Sequence, residues 1–312
     1  MVLGDGWSTT VSSLTAASLE KSHILIGKAE LIAQSPEISL SAQDNDGDNE
    51  LMLAVVKQEE LYASIIIDTF VKRKRTDLLN LQNREGNTAL LLAVKMRSRS
   101  LVEQLVLGGA DLLMRDYKGN TALHCASEIG ILDLVKLLTP EKSIKGTILQ
   151  SQDNDSAHPY RLYMLDDSDT DSEQSQSKLT QSQLLNKKNA ELYNYCGWNS
   201  FHLAVQNGHL HIADYLALTV KVDMNAPGGT RGMTALHIVI EKKNIPVFLY
   251  LTRKLKVDVN ILTYDGLSPI QFACGYTQDD LVPLLLLSGA YISDHKNYRE
   301  YMEQVDTIYD SD

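Results

Sequence analysis

The chain has 312 residues, with 29 Lys plus Arg against 40 Asp plus Glu, a formal net charge of −11 with His neutral. So acidic a chain is a poor match for nucleic-acid phosphates and a better match for a basic partner. An apolar fraction of 44% excludes wholesale disorder, and three widely spaced Cys (Cys125, Cys196, Cys274) exclude a disulfide framework or a Cys-rich zinc site and suit a reducing compartment.

Residues 1–43 read as an N-terminal segment, partly disordered. The start, MVLGDGWSTTVSSL, has Asp5 where a signal peptide would carry basic residues, so no signal peptide is expected. The longest apolar run, VPLLLLSGA, is far too short to span a membrane. The expected compartment is the cytoplasm, with the nucleus as the alternative.

From residue 44 onward the sequence repeats itself. Six segments align on a shared glycine: GDNELMLAV from Gly47, GNTALLLAV from Gly86, GNTALHCAS from Gly119, GWNSFHLAV from Gly197, GMTALHIVI from Gly232 and GLSPIQFAC from Gly266. The spacings are 39, 33, 78, 35 and 34, so one interval is roughly doubled. A period near 33 is the mark of a stacked-repeat protein. In the third copy, Thr121 is placed to cap a short helix carrying Leu123 and Ala126 on one face. Gly130 is placed to end it, and a second helix is predicted over 131–138, with Leu134, Val135 and Leu138 turned inward. Each helix is too short to stand alone, so neighbouring copies must bury these faces.

These segments resemble the ankyrin motif G-x-T-P-L-H-x-A, most closely at 121–124 and 234–237. The resemblance implies an all-α ankyrin solenoid of about six repeats, with repeats one to three over 44–149 and four to six over 192–292. His124, His202 and His237 share the fourth motif position. Equivalent positions on stacked repeats are translated rather than convergent, so hydrogen bonding to backbone is expected of them, not a metal site. No paired carboxylates, nucleophile–base set or phosphate loop stands out. Neither catalysis, a cofactor, a metal nor a small-molecule substrate is expected, and the molecule reads as a protein-binding module with no direct contact to nucleic acid or membrane.

The order of variant repeats is similar to the I-kappa-B family, including Cactus-type inhibitors of Rel/NF-kappa-B transcription factors. DNDGDNELMLAV (44–55) resembles that family's first repeat. LLNLQNREGNTALLLAV (78–94) resembles its long first junction, and GWNSFHLAVQNGHLHIADYLAL (197–218) its fourth repeat. The resemblance implies a partner, a Rel/NF-kappa-B dimer, and a mechanism in which early repeats cover its basic nuclear-localisation segment. By position, Asp44, Asp46, Asp48, Glu50, Glu59 and Glu60 are the candidate residues; the bland alternative is a solvated acidic face.

Residues 150–191, rich in Ser, Asp and Gln, read as a disordered insertion. Within it DSDTDS carries the D-S-x-x-x-S spacing of the family degron with Asp169 in place of Gly. Ser168, Thr170 and Ser172 are candidate phosphorylation sites for an acidophilic kinase. The family's N-terminal D-S-G-x-x-S is absent before residue 44. Residues 293–312 form an acidic tail, in which Glu303 and Asp306 either face the partner's DNA-binding surface or belong to a frayed terminus. KRKR at 72–75 reads as a cationic helix end rather than an import signal. The rivals to an inhibitor are an ankyrin adaptor for another partner and an enzyme concealed in the insertion or the N-terminal segment.

Overall fold

The computed structural model describes Gly27 and residues 41–139, 181–276 and 280–291. These fall in two compact units, one ending at Tyr117 and the other starting at Lys118. Among the described residues every regular element is helical, and the only extended pairings are the isolated bridges Gln43–Asn49 and Gly228–Met233.

The first unit holds two helix pairs, α1 (Glu50–Val56) with α2 (Glu60–Lys72), and α3 (Ala89–Lys95) with α4 (Arg99–Leu107). The first helices of the pairs, α1 and α3, pack on each other, as do the second helices, α2 and α4. A single 3-10 turn, Thr76–Asn80, occupies the long junction that the 39-residue spacing anticipated. The second unit holds α5 (Ala122–Ile129) with α6 (Leu132–Leu138), then α7 (Gln181–Glu191). It continues with α8 (Ser200–Gln206), α9 (Leu210–Asp214), α10 (Ala235–Glu241), α11 (Ile245–Leu249), α12 (Pro269–Gly275) and α13 (Leu281–Leu287). The helices α5, α8, α10 and α12 pack in succession, each first in its repeat. Helices α9 and α11 run on as π-helical turns, Tyr215–Val220 and Tyr250–Leu255.

The motif residues explain these helices. Asn49, Thr88, Asn199 and Ser268 cap α1, α3, α8 and α12, each accepting a backbone N–H from three residues on at 2.9–3.4 Å. Thr121 and Thr234 close capping boxes with His124 and His237. Leu51, Leu90, Leu123, Phe201, Leu236 and Ile270 are at most 1% exposed. Each such side chain contributes about 1.5–3 kcal/mol, so a few buried side chains per helix together outweigh a nucleation cost of about 4 kcal/mol.

Gly130 ends α5 at φ 88, the left-handed conformation expected of it. The corresponding residue after α8 is Gly208 at φ 74, but after α10 it is Lys243 at φ 53. A side chain with a Cβ is strained there by about 1–2 kcal/mol, offset in part by the greater unfolded freedom of glycine. Lys243→Gly is therefore expected to raise stability by up to about 1 kcal/mol, measured as a higher urea midpoint; a lower midpoint would show that the lysine makes a compensating contact.

The sequence boundary of the insertion needs correction. Gln181–Glu191, read as part of the disordered stretch, is a helix. Asn186, Asn189 and Ala190 are buried, and Glu191 Oε1 accepts the Asp223 N–H at 3.1 Å. Its residues are too polar to signal a core helix, and packing against α5, α8 and the turn after α9 supplies what propensity does not. Residues 140–180 lie outside the described residues.

Candidate partner-binding surface

Each repeat projects a finger just before its motif glycine. In the first, Asp44 Oδ1 accepts the backbone N–H of Asp46 and of Asp48, both at 2.9 Å, which folds the acidic residues into a fixed turn. Asn83 and Asn194 repeat the device, Asn83 Oδ1 taking the N–H of Glu85 and Asn87, and Asn194 Oδ1 that of Cys196 and Trp198. Successive fingers share one backbone hydrogen bond. In the first unit Arg84 N–H donates to Asp46 O at 2.9 Å and Tyr117 N–H to Glu85 O at 3.1 Å. In the second, Tyr195 N–H donates to Lys118 O at 3.0 Å and Tyr264 N–H to Arg231 O at 2.9 Å.

Of the six acidic candidates of repeat one, Asp44, Asp46 and Asp48 lie on this first finger and Glu50 opens α1, whereas Glu59 and Glu60 lie past the other end of α1, at the start of α2, and several of the six hold the fold together. Asp44 shapes the turn. Asp48 Oδ1 accepts from Asn83 Nδ2 at 2.8 Å, tying the first finger to the second. Glu50 Oε1 accepts from the Tyr62 hydroxyl at 2.7 Å, and burial together with that carboxylate pushes the phenol well above its ordinary range. Glu60 Oε1 accepts from Ser98 Oγ at 2.9 Å. Asp44, Asp46, Glu50 and Glu60 are exposed, while Asp48 and Glu59 are half-buried. Asp46 uses its carbonyl within the finger ladder, and Glu59 precedes α2 without capping it through its side chain. A basic partner would thus meet a carboxylate surface already fixed by internal hydrogen bonds, which reduces the ordering cost of binding.

KRKR terminates α2. Lys72 is its last residue, Lys74 is left-handed at φ 57, and Arg75 Nε pairs with Asp77 Oδ1 at 2.9 Å, holding the Asp77 carboxyl below its usual range. The motif histidines are buried at 1% exposure or less. His202 Nε2 donates to Ala226 O at 3.0 Å and His237 Nε2 to Leu267 O at 3.3 Å. His124 Nε2 faces the carbonyls of Leu192 and Trp198 at 2.9 and 3.2 Å. Among the described residues no cluster of His, Cys, Asp and Glu could hold a metal ion, and no helix is long and apolar enough to cross a membrane. Glu303, Asp306, Ser168, Thr170 and Ser172 lie outside the described residues.

The finger tips carry a feature that sequence reasoning missed. Tyr117, Tyr195 and Tyr264 occupy the same position, two before the motif glycine, and are 68%, 72% and 69% exposed. Each ring lies on the preceding finger's glycine, Gly86, Gly119 and Gly232 respectively. The recurrence at one register was the available signal. Exposed tyrosines held in place from below are well suited to protein contact, since few rotamers are lost on binding.

The chain matches the family of ankyrin repeats (3 copies) over residues 51–149, 173–263 and 201–296. It is 30% identical over 250 residues to the NF-kappa-B inhibitor cactus of Drosophila yakuba, covering 80% of this chain and 47% of that protein. It is 30% identical over 232 residues to NF-kappa-B inhibitor alpha of Gallus gallus, covering 74% and 59%. To the nuclear factor NF-kappa-B p105 subunit of Gallus gallus it is 25% identical over 250 residues, covering 80% and 21%. The chain therefore spans less than two thirds of the length of each of these relatives. Among solved structures, the ankyrin repeat domain of Bcl-3, a member of the IkappaB protein family, superposes with a TM-score of 0.58 at 26% identity, covering 79% of this chain and 89% of that one. The repeats, their order and these relatives together place the chain in the ankyrin-repeat family, a protein-interaction scaffold, as an I-kappa-B-like member resembling the NF-kappa-B inhibitors.

Proposed function

We propose that the chain binds a dimer of Rel/NF-kappa-B transcription factors and inhibits it, covering the basic nuclear-localisation segment with the acidic start of repeat one and hindering DNA binding. The setting is innate-immune, Toll-type signalling, with the complex retained in the cytoplasm. The observation that carries this reading is the similarity to two NF-kappa-B inhibitors over 74–80% of the chain. The exposed, pre-folded carboxylates of the first finger supply the chemistry for a Lys/Arg-rich segment. Finger tyrosines add contact area, and Glu303 and Asp306 extend the acidic surface. Phosphorylation at Ser168, Thr170 or Ser172 would add about −1.5 to −2 charge at each site.

The test separates carboxylates that shape the fold from those available to a partner. Asp44, Asp48, Glu50 and Glu60 are left intact, and Asp46 and Glu59 are changed together to their amides. Each alone is expected to cost under about 1 kcal/mol of affinity and the two together about 1–2 kcal/mol. Calorimetry against a Rel dimer with and without its basic segment reads this. The loss should appear only with the segment present and shrink as salt rises. Equal affinity of variant and wild type for both forms at low salt would dismiss the masking mechanism.

A further inference from the structure

The basic run that the proposed function leaves unused stands directly before a hydroxyl. Lys72, Arg73, Lys74 and Arg75 precede Thr76, which thus has an arginine one residue and three residues before it. Among the other serines and threonines of the chain, only Ser100 and Thr234 also follow an arginine by three residues. The fold separates the three. Thr234 is 2% exposed, and its Oγ1 lies 2.9 Å from His237 Nδ1 in the capping box. Ser100 lies in the first turn of α4, its Oγ accepts from Gln104 Nε2 at 3.3 Å, and the next two residues, Leu101 and Val102, are fully buried. Thr76 stands where α2 has already ended, as the first residue of the 3-10 turn. It is half-buried, and among the described residues its hydroxyl has no hydrogen-bond partner.

A protein kinase must bring its catalytic carboxylate to the hydroxyl and hold the flanking residues in its cleft, so the acceptor segment has to leave regular structure. Around Thr76 that disrupts little. Lys74 is already left-handed at φ 57, a strained conformation for a residue with a Cβ. The turn itself is held by Arg75 N–H to Phe70 O at 2.9 Å and Leu78 N–H to Arg75 O at 3.1 Å. Lys72, Lys74 and Asp77 are exposed, and the buried Leu78 and Leu79 follow the hydroxyl, whereas the cations to be read precede it. Such a turn opens locally far more readily than a packed helix. At Ser100 the same opening would draw Leu101 and Val102 out of the core.

We propose that Thr76 is a phosphorylation site for an arginine-directed Ser/Thr kinase, a class distinct from the acidophilic one suited to Ser168, Thr170 and Ser172. Carboxylates of such a kinase pair with the arginines before the hydroxyl. Thr76 Oγ attacks the γ-phosphorus of ATP, and the new O–P bond forms as the bond to the β–γ bridging oxygen breaks. ADP leaves with that electron pair, and the hydroxyl proton passes to the kinase's catalytic Asp. The phosphate brings about −1.5 to −2 charge to a turn of four cations and the Asp77 carboxylate, and it competes with Asp77 for Arg75. Modification thereby cancels much of the positive charge at the end of α2. The site does not depend on Rel binding.

Incubation of the full chain with Mg-ATP and the catalytic subunit of cyclic-AMP-dependent protein kinase, followed by mass spectrometry of the phosphorylated positions, tests it. Thr76 is expected to take phosphate at least about tenfold faster than Ser100 or Thr234. Thr76→Val should remove that phosphate, and Thr76→Ser should keep it. Arg73→Gln should slow the reaction at Thr76 at least about tenfold. Loss of the fold would free the segment and speed the reaction, so a slower rate in that variant reports recognition and not misfolding. Absence of phosphate on Thr76 overturns the proposal, as does a rate indifferent to Arg73. Equal rates at Thr76 and Ser100 also overturn it, by showing that sequence alone, and not the turn, selects the acceptor.

Discussion

Between pH 7 and pH 5, His202 and His237 are expected to cost the second unit about 4 kcal/mol of stability, about 2 kcal/mol each. Burial holds both imidazoles neutral, lowering each from the ordinary 6.5 to about 4. The Ala226 and Leu267 carbonyls and, for His202, Asp223 oppose the shift, while Arg231 adds to it at His237. The geometry agrees with neutral rings. Nε2 donates onward to a carbonyl, so Nδ1 carries the lone pair that accepts the capping residue's N–H, at 3.4 Å from Asn199 and 3.3 Å from Thr234. A proton on Nδ1 would set donor against donor. Because the folded values are depressed, the unfolded chain binds more protons. The full contribution is present above about 6.5 and is lost as pH falls towards 4.

Repeat six supplies the control. There Gln271 stands in place of the histidine, and its Oε1 accepts the Ser268 N–H at 2.9 Å, closing the same capping box without a titrating group. His202→Gln with His237→Gln should therefore keep the caps. It should lose at most about 1–2 kcal/mol at pH 7 through the missing bonds to Ala226 and Leu267. Acidification to pH 5 should then cost it about 4 kcal/mol less than it costs the wild type. Urea midpoints at the two pH values measure both quantities, and carboxylate titration cancels in the comparison. Equal acid losses in the two proteins would show that the buried histidines charge without penalty.

The sequence made the repeats legible because the motif places glycine, cap and apolar residues at fixed local spacing. Thr121, Leu123 and Gly130 could be assigned roles within ten residues of chain, and the structure bears them out. What was not legible depends on distant partners. Asp48, Glu50 and Glu60 look alike as an acidic run, but their hydrogen bonds go to Asn83, Tyr62 and Ser98, 35, 12 and 38 residues away. Helix α7 was missed for the same reason. Its sequence is polar, and only the neighbours that bury Asn186, Asn189 and Ala190 make it a helix of this fold. Composition thus locates a charged surface, while tertiary contacts decide which of its charges remain available to a partner.

Gly119→Ala is expected to cost about 3 kcal/mol, and two other glycines show why conformation alone would not. Gly119, Gly232 and Gly266 share the left-handed conformation, at φ 77, 66 and 76. Any Cβ there carries about 1–2 kcal/mol of backbone strain. Around Gly266 a Cβ would meet nothing within 4 Å among the described residues, so Gly266→Ala should show the strain alone. At Gly232 the three nearest atoms all belong to the Tyr264 ring, from 2.5 Å. That ring is 69% exposed and can swing outward, so Gly232→Ala should cost somewhat more. Gly119 is different, because its Cβ would lie 2.7 Å from both the ring and the backbone nitrogen of Tyr195. The nitrogen cannot move without stretching its 3.0 Å hydrogen bond to Lys118 O, the link between neighbouring fingers. Removing the ring should therefore rescue one substitution and not the other. Gly232→Ala with Tyr264→Ala should fall back to the cost of Gly266→Ala once the Tyr264→Ala effect is subtracted, whereas Gly119→Ala with Tyr195→Ala should retain about 1 kcal/mol or more of excess. Denaturant titration of these variants, with Tyr195→Ala and Tyr264→Ala as the single-tyrosine references, measures the series. If Gly119→Ala costs no more than Gly266→Ala, the fingers do not approach as closely as described, and the glycines serve only to turn the chain.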